Sequence, residues 1–204
     1  MFTGIVTGIG RIAAVRALGT DASHGKRLVV AAPPGWLEGT RAGDSIALNG
    51  ACMTVTSLDA DSFSVDISAE SLACTAGLDS VGVRVNLEQA LRANDHLGGH
   101  LVSGHVDGVG TVTHMASTGE SIEMRITAPR ELARFLAVKG SLAVNGVSLT
   151  VNRVVDLREG CEASINLIPH TAANTTLGTL AAGSKVNLEI DLIARYVERM
   201  MRAE

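Results

Sequence analysis

Gly98-Gly99-His100-Leu101-Val102-Ser103-Gly104-His105-Val106-Asp107-Gly108-Val109-Gly110 is the point at which this chain begins a second time. Thr3-Gly4-Ile5-Val6-Thr7-Gly8-Ile9-Gly10 lies beneath Ser103-Gly104-His105-Val106-Asp107-Gly108-Val109-Gly110 with all three glycines and the alternate apolar positions in register. The match continues downstream. Ala32-Pro33 realigns with Ala128-Pro129, Leu48-Asn49-Gly50-Ala51-Cys52-Met53-Thr54-Val55 with Val144-Asn145-Gly146-Val147-Ser148-Leu149-Thr150-Val151, and Gly82 to Glu88 with Gly183 to Glu189. A period of about one hundred residues is too long for a solenoid unit and fits duplication of a whole domain. The offset drifts from 96 to 101, changing only in polar or glycine-containing stretches, where insertions fall in loops.

Each half reads as six short β-rich runs separated by Gly, Asp and Asn. They lie near 3–12, 26–32, 45–49, 51–58, 63–67 and 83–87, then near 104–114, 121–128, 141–145, 147–155, 162–168 and 185–190. That density points to a small antiparallel barrel or sandwich in each half. Asn49-Gly50 and Asn145-Gly146 mark tight hairpins, because both residues tolerate positive φ. Short helical pieces are expected after Pro33 and Pro129, near 70–76 and near 171–177. The copies differ most at the end. Asp191 can cap a helix through Leu192 to Met201, whose Leu192, Ile193, Tyr196, Val197 and Met200 form an apolar stripe without counterpart after Leu91. Such a stripe packs on a barrel or builds an oligomer, and its place outside the repeat favours the oligomer.

Composition narrows the function. The 204 residues carry a net charge of −4 without a basic run, which argues against a nucleic-acid partner. Aromatic residues make up 2 %, so both cores must be built from Val, Ile, Leu and Ala. There is no signal-peptide pattern and no apolar run of ~18 residues, so a cytoplasmic protein without membrane contact is expected. Cys52, Cys74 and Cys161 are odd in number and far apart, which suits reduced thiols, and no zinc-type Cys pair exists.

His96, His100 and His105 cluster in sequence, but Gly98-Gly99 breaks the helix that would align the first two, and no metal site is expected. Taken alone, His105 reads as a strand histidine bonded to a backbone carbonyl. The repeat places it opposite Ile5, and a polar replacement between glycines suggests ligand contact. Cys52 and Ser148 share one position, two residues before Thr54 and Thr150. Small residues there suit a barrel interior, yet polar groups beside a threonine in both copies suit the lining of a heterocycle pocket. The glycine-rich start lacks the Lys-Ser/Thr pair of a phosphate loop and is read as bulges or close packing.

These segments together resemble the riboflavin synthase family over essentially the whole chain. The resemblance is carried by Met1 to Val6, Asn49 to Thr56, Gly98 to Val106, Asn145 to Val151, Ile168-Pro169-His170-Thr171, Thr175 to Gly178 and Leu188-Glu189-Ile190-Asp191. It implies two six-stranded Greek-key antiparallel barrels, spanning 1–97 and 98–190, with an oligomerisation helix at 191–204. It further implies a homotrimer whose active site lies between the N-terminal barrel of one subunit and the C-terminal barrel of another. The family's reaction moves a four-carbon unit between two molecules of 6,7-dimethyl-8-ribityllumazine, both bound in one site, releasing riboflavin and a pyrimidinedione without metal or redox cofactor. Association with lumazine synthase is compatible with this, though nothing in the sequence argues for it.

Carried over residue by residue, the resemblance assigns Gly4, Ile5, Val6, Cys52, Met53, Thr54, Asp66, Ile67, Ser68, Ala69, Glu70 and Ser71 to the N-terminal pocket. It assigns Gly104, His105, Val106, Ser148, Leu149, Thr150, Asn166, Leu167, Ile168, Pro169, His170 and Thr171 to the C-terminal pocket, with Lys139 reaching toward a neighbouring site. Ser71 stands where the family has a lumazine-contacting Thr, and 69–76 otherwise departs from its pattern. The chemical roles fall to His105, Ser148 and Asp191, with Cys52 a participant, and the sequence leaves open which of them takes the proton. Asp191 replaces Ala90, so His105, Ser148 and Asp191 are expected to gather in the second barrel. The competing expectation is an optical carrier that binds lumazine or flavin without catalysis, as relatives in luminous bacteria do. Those relatives tend to lose the polar groups that this chain keeps. A reductase-type flavin barrel would need a nicotinamide domain, and none is present.

Overall fold

The structure is a computed structural model describing residues 1–21 and 23–202. The first barrel closes from β1 (Gly8–Ala17), β2 (Lys26–Ala31), β3 (Ser45–Leu48), β4 (Ala51–Leu58), β5 (Ser62–Ile67) and β6 (Arg84–Gln89) in the order β1-β2-β5-β4-β3-β6. The second closes from β7 (Gly108–Thr118), β8 (Ser121–Pro129), β9 (Ser141–Val144), β10 (Val147–Leu157), β11 (Gly160–Leu167) and β12 (Lys185–Ile190) in the equivalent order. Every pairing is antiparallel, and closure removes the open edges on which strands otherwise aggregate.

Alternation sets the faces of each wall. Ala51, Met53 and Val55 point inward with Val147, Leu149 and Val151 as their counterparts, while Cys52, Thr54, Ser148 and Thr150 stand on the outer surface. Cys52 and Ser148 therefore do not fill barrel interiors. The cores are largely aliphatic, with Phe63, Met53 and Met124 adding bulk.

Two strands begin later than their sequence suggests. β1 starts at Gly8 and β7 at Gly108, because Gly4 (φ +75°) and Gly104 (φ +83°) take the left-handed conformation, and residues 3–7 and 103–107 become arms. The piece after Pro33 is a series of i→i+3 turns, Trp36 N–H to Pro33 O (3.0 Å) and Thr40 N–H to Leu37 O (3.0 Å), interrupted by Gly35 and Gly39 at positive φ. Its counterpart forms α2 (Arg130–Ala133) with Pro129 as N-cap. The later pieces are α1 (Ala69–Cys74), capped by Ser68, and α3 (Pro169–Asn174), followed by a 3₁₀ turn at Thr176–Thr179.

The barrels join about a pseudo-twofold axis. The Asn49-Gly50 and Asn145-Gly146 turns abut so closely that a Cβ on Gly50 would lie 2.8 Å from Gly146 N. Asn86 Nδ2 donates to Asn145 O (2.9 Å) and Asn187 Nδ2 to Asn49 O (3.0 Å). Their side-chain oxygens accept from Thr176 N (2.7 Å) and Ala76 N (2.7 Å), so no buried polar group of these two asparagine side chains is wasted. Phe2 and Val102 form an antiparallel bridge between the arms.

α4 (Leu192–Met201) begins at Asp191, whose Oδ1 accepts from Ile193 N (2.9 Å). Arg195 anchors it to Asp107, and Arg134 to Glu198 at 3.3 Å. Its apolar stripe faces outward: Ile193 is 63 % exposed, Tyr196 62 % and Met200 74 %. Among the described residues no helix is long and apolar enough to cross a membrane.

Candidate active site

The arms cross. Gly4 O accepts from Ser148 N (2.8 Å), and a Cβ on Gly4 would stand 2.6 Å from that of Ser148. Gly104 O accepts from Cys52 N (2.8 Å) with the same closeness. Val6 packs against the second core and Val106 against the first. This corrects the pairing that the resemblance implies: Gly4, Ile5 and Val6 belong beside Ser148, and Gly104, His105 and Val106 beside Cys52. Homology between repeats identifies equivalent residues, but not which barrel each arm covers.

Two cups result. The first is a cleft of about 240 Å³ in which Cys52, Met53, Glu70, Ser71, Cys74 and His105 converge over Gly104 and Val106. The second cup denotes the surroundings of Ser148, whose Oγ lies 2.7 Å from His100 Nδ1 and against whose side chain Gly99 packs. His100 is only 9 % exposed, and its buried Nε2 has no hydrogen-bond partner. Burial holds its pKa below the ordinary histidine value, with the Asp191 carboxylate opposing the shift. His105, expected with Ser148 and Asp191, instead opens into the first cup. The four candidate catalytic groups thus divide: Cys52 lines the first cup with His105, Ser148 contacts His100, and Asp191 acts on His100 through its charge.

The remaining assigned residues scatter. Thr54 and Thr150 are exposed on β4 and β10, and Leu149, Ile67 and Leu167 are buried in the cores. Asp66 pairs with Arg27 through two bonds of 2.7 Å. Ser68 caps α1, which carries Ala69, and accepts from Ser71 N (3.0 Å). Asn166 and Ile168 lead on the outer surface into α3, where Pro169 and His170 are exposed and Thr171 accepts from Thr175 Oγ1 (2.7 Å). Lys139, at φ +68°, donates to Asn152 Oδ1 at 3.4 Å. A larger cleft of about 590 Å³ beside Trp36, Arg92 and His96 contains, of all these residues, only Ile5.

His100 is the residue that sequence reasoning passed over. An offset of 100 points before Met1, so the repeat offers no partner against which to weigh it. The three neighbouring histidines go separate ways, His96 to the larger cleft, His100 to Ser148 and His105 to the first cup.

A family model described as Lumazine binding domain matches twice, at residues 3–90 and 103–191. Two closed barrels so matched define a tandem lumazine-binding-domain protein. Riboflavin synthase of Photobacterium phosphoreum is 42 % identical over 202 residues, covering 98 % of this chain and 89 % of the relative. Riboflavin synthase of Mycobacterium tuberculosis is 42 % identical over 206 residues, covering 100 % and 99 %. The chain belongs to the riboflavin synthase family and is an enzyme of the transferase class. Among solved structures, LumP complexed with riboflavin superposes with a TM-score of 0.82 at 29 % identity, covering 93 % of this chain and 99 % of that one. LumP complexed with 6,7-dimethyl-8-(1'-D-ribityl) lumazine gives 0.79 at 28 % with the same coverage.

Proposed function

We propose that the chain catalyses the dismutation of two molecules of 6,7-dimethyl-8-ribityllumazine into riboflavin and 5-amino-6-ribitylamino-pyrimidinedione, each of its two lumazine-binding units, 1–97 and 98–190, holding one. The observation that carries this reading is the crossing of the arms. One chain builds two equivalent crossings with different chemistry around them, a thiol and His105 at one, Ser148 and His100 at the other. That suits a reaction whose two substrates are the same compound in different roles. Atoms and electrons balance between the two lumazines, so no oxidant, metal or redox cofactor has to be supplied.

The C7 methyl of lumazine is acidic because its anion delocalises into the pteridine, and a positioned base starts carbon–carbon bond formation. A nucleophile primes C7 of the other molecule. Ser148 serves there, its hydroxyl proton directed to Nδ1 of a neutral His100 and the couple steadied by the Asp191 charge. His105, beside Cys52, faces the other lumazine. The complete site forms between the first cup of one protomer and the second cup of another, in a homotrimer held by α4.

Purified protein incubated with the lumazine alone, with a chelator present and no nucleotide, yields riboflavin by absorbance and fluorescence together with an equal amount of the pyrimidinedione. The fold shared with LumP favours a second reading, a non-catalytic lumazine or flavin carrier. Tight binding without product under these conditions would establish the carrier and overturn the enzyme reading.

A further inference from the structure

We propose that Glu88 and Glu189 are positioning residues acting across the interface: Glu88 of the first barrel sets the second cup, and Glu189 of the second barrel sets the first. The inference rests on the reading that these cups bind lumazine and adds what shapes them. Both carboxylates are buried, and each collects three hydrogen bonds from one arm. Glu88 Oε1 accepts from Thr3 N (2.6 Å) and Thr3 Oγ1 (2.7 Å), and Oε2 from Gly4 N (3.0 Å). Glu189 repeats the pattern on Ser103 N (2.6 Å), Ser103 Oγ (2.7 Å) and Gly104 N (3.0 Å).

The clamped glycine passes the constraint on. Gly4 is held on one side of its Cα by the N–H bond to Glu88 and on the other by the bond its carbonyl accepts from Ser148 N, so the carboxylate fixes how Ser148 sits. Gly104 links Glu189 to Cys52 N in the same way. Each clamp is specific to a carboxylate. It offers acceptors on both oxygens, whereas the amide of glutamine offers one acceptor and turns an N–H toward donors it cannot satisfy. A lost partner at a buried donor is costly, so the arm moves rather than leave it unpaired. The hydrogen bonds of both carboxylates go to the arms, so each acts through its arm and neither is a catalytic residue.

The crossed connection separates this role from general support. Cys52 reports on the first cup: in a Cys74→Ser background, with Cys161 buried, iodoacetamide alkylation followed by mass spectrometry reads its accessibility. Glu189→Gln is expected to raise the ligand-free alkylation rate of Cys52 by ~5-fold or more and the riboflavin concentration giving half-protection by a similar factor. Glu88→Gln should leave both unchanged while lowering kcat through Ser148 by ~10-fold or more. Ser103→Ala and Thr3→Val, which remove one donor and keep the carboxylate, give the same pattern more weakly should a Gln variant fail to fold. Equal changes at Cys52 in both Glu variants, or a change in Glu88→Gln alone, would overturn the crossed assignment. Wild-type protein whose Cys52 riboflavin never protects would count against lumazine binding in the first cup, and the ligand-free rates would still decide the clamp.

Discussion

Nδ1 of His100 lies 2.7 Å from Oγ of Ser148, and burial keeps that imidazole neutral over a wider pH range than an exposed histidine. A neutral ring has one acceptor nitrogen, and a serine proton directed to Nδ1 leaves Nε2 as the donor. Protonation on lowering the pH fills that acceptor and removes the base. The acid limb of kcat is therefore expected below the ordinary histidine pKa, with activity lost as pH falls through the lowered value. Ser148→Ala and His100→Asn should each lower turnover by ~10²-fold or more. The pH–rate profile of His100→Asn should lack the limb, and a limb that stays in place would remove His100 from the mechanism.

Asp191 joins two jobs that one substitution can separate. Its Oδ1 caps α4, and its charge raises the His100 pKa against the larger effect of burial. Asn retains a capping oxygen but no charge. Asp191→Asn should therefore keep its secondary structure by circular dichroism, move the acid limb to still lower pH and reduce turnover by ~10²-fold. A limb that moves upward, or full activity, would show that the carboxylate acts on neither group.

Duplication was legible because it preserves spacing: the glycines of the arms, the Asn-Gly turns and the Asn86/Asn187 positions all repeat, and two equivalent barrels follow. The cap at Asp191 was legible because helix signals are local. The crossing was not, since the bonds that decide it, Gly4 to Ser148 and Gly104 to Cys52, join residues far apart in sequence whose repeat partners suggest the opposite pairing. The late starts of β1 and β7 are hidden in the sequence for the same reason. Residues 3–7 have the alternation of a strand but spend it on the neighbouring barrel.

The asparagine clasp should dominate the coupling between barrels. Asn86→Ala leaves Asn145 O and Thr176 N without a side-chain partner, and Asn187→Ala does the same to Asn49 O and Ala76 N. Asn86→Ala loses two buried hydrogen bonds and Asn187→Ala one buried and one partly buried, which corresponds to about 1–3 kcal/mol per buried group left unpaired. Urea denaturation followed by circular dichroism should show each variant destabilised, and the double variant should unfold in two separated transitions. A change below ~0.5 kcal/mol would mean that the abutting turns, the crossed arms and the Phe2–Val102 bridge hold the barrels without the clasp.

Assembly can be probed without removing α4, whose Arg195 also anchors Asp107. Val197→Glu and Met200→Glu place charges in the exposed stripe and leave the cap and that ion pair intact. Burial of Ile, Val and Met side chains contributes ~1.5–3 kcal/mol each before entropy costs, so two charges should dissociate the proposed homotrimer. Light scattering should give the monomer mass, and a double variant of undiminished mass would place the interface elsewhere.

Burial raises the pKa of Glu88 and of Glu189, and hydrogen bonds from Thr3 and Gly4, or from Ser103 and Gly104, pull each part of the way back. A carboxyl whose folded pKa lies above its unfolded value binds more protons folded than unfolded in the interval between them. Stability then falls as pH rises through that interval, and the contribution present below the unfolded pKa is lost above the folded one. This slope runs opposite to that of a carboxylate such as Asp66, whose hydrogen bond to Arg27 lowers its pKa. In Glu189→Gln the titrating group is gone. The stability difference, wild type minus variant, is therefore expected to shrink from weakly acidic pH toward neutrality as the wild-type carboxyl ionises, and Glu88→Gln should behave alike. Denaturation midpoints measured at intervals across that range decide it: a difference that grows with pH would mean that the three hydrogen bonds outweigh burial and that both carboxylates are ionised more readily folded than unfolded.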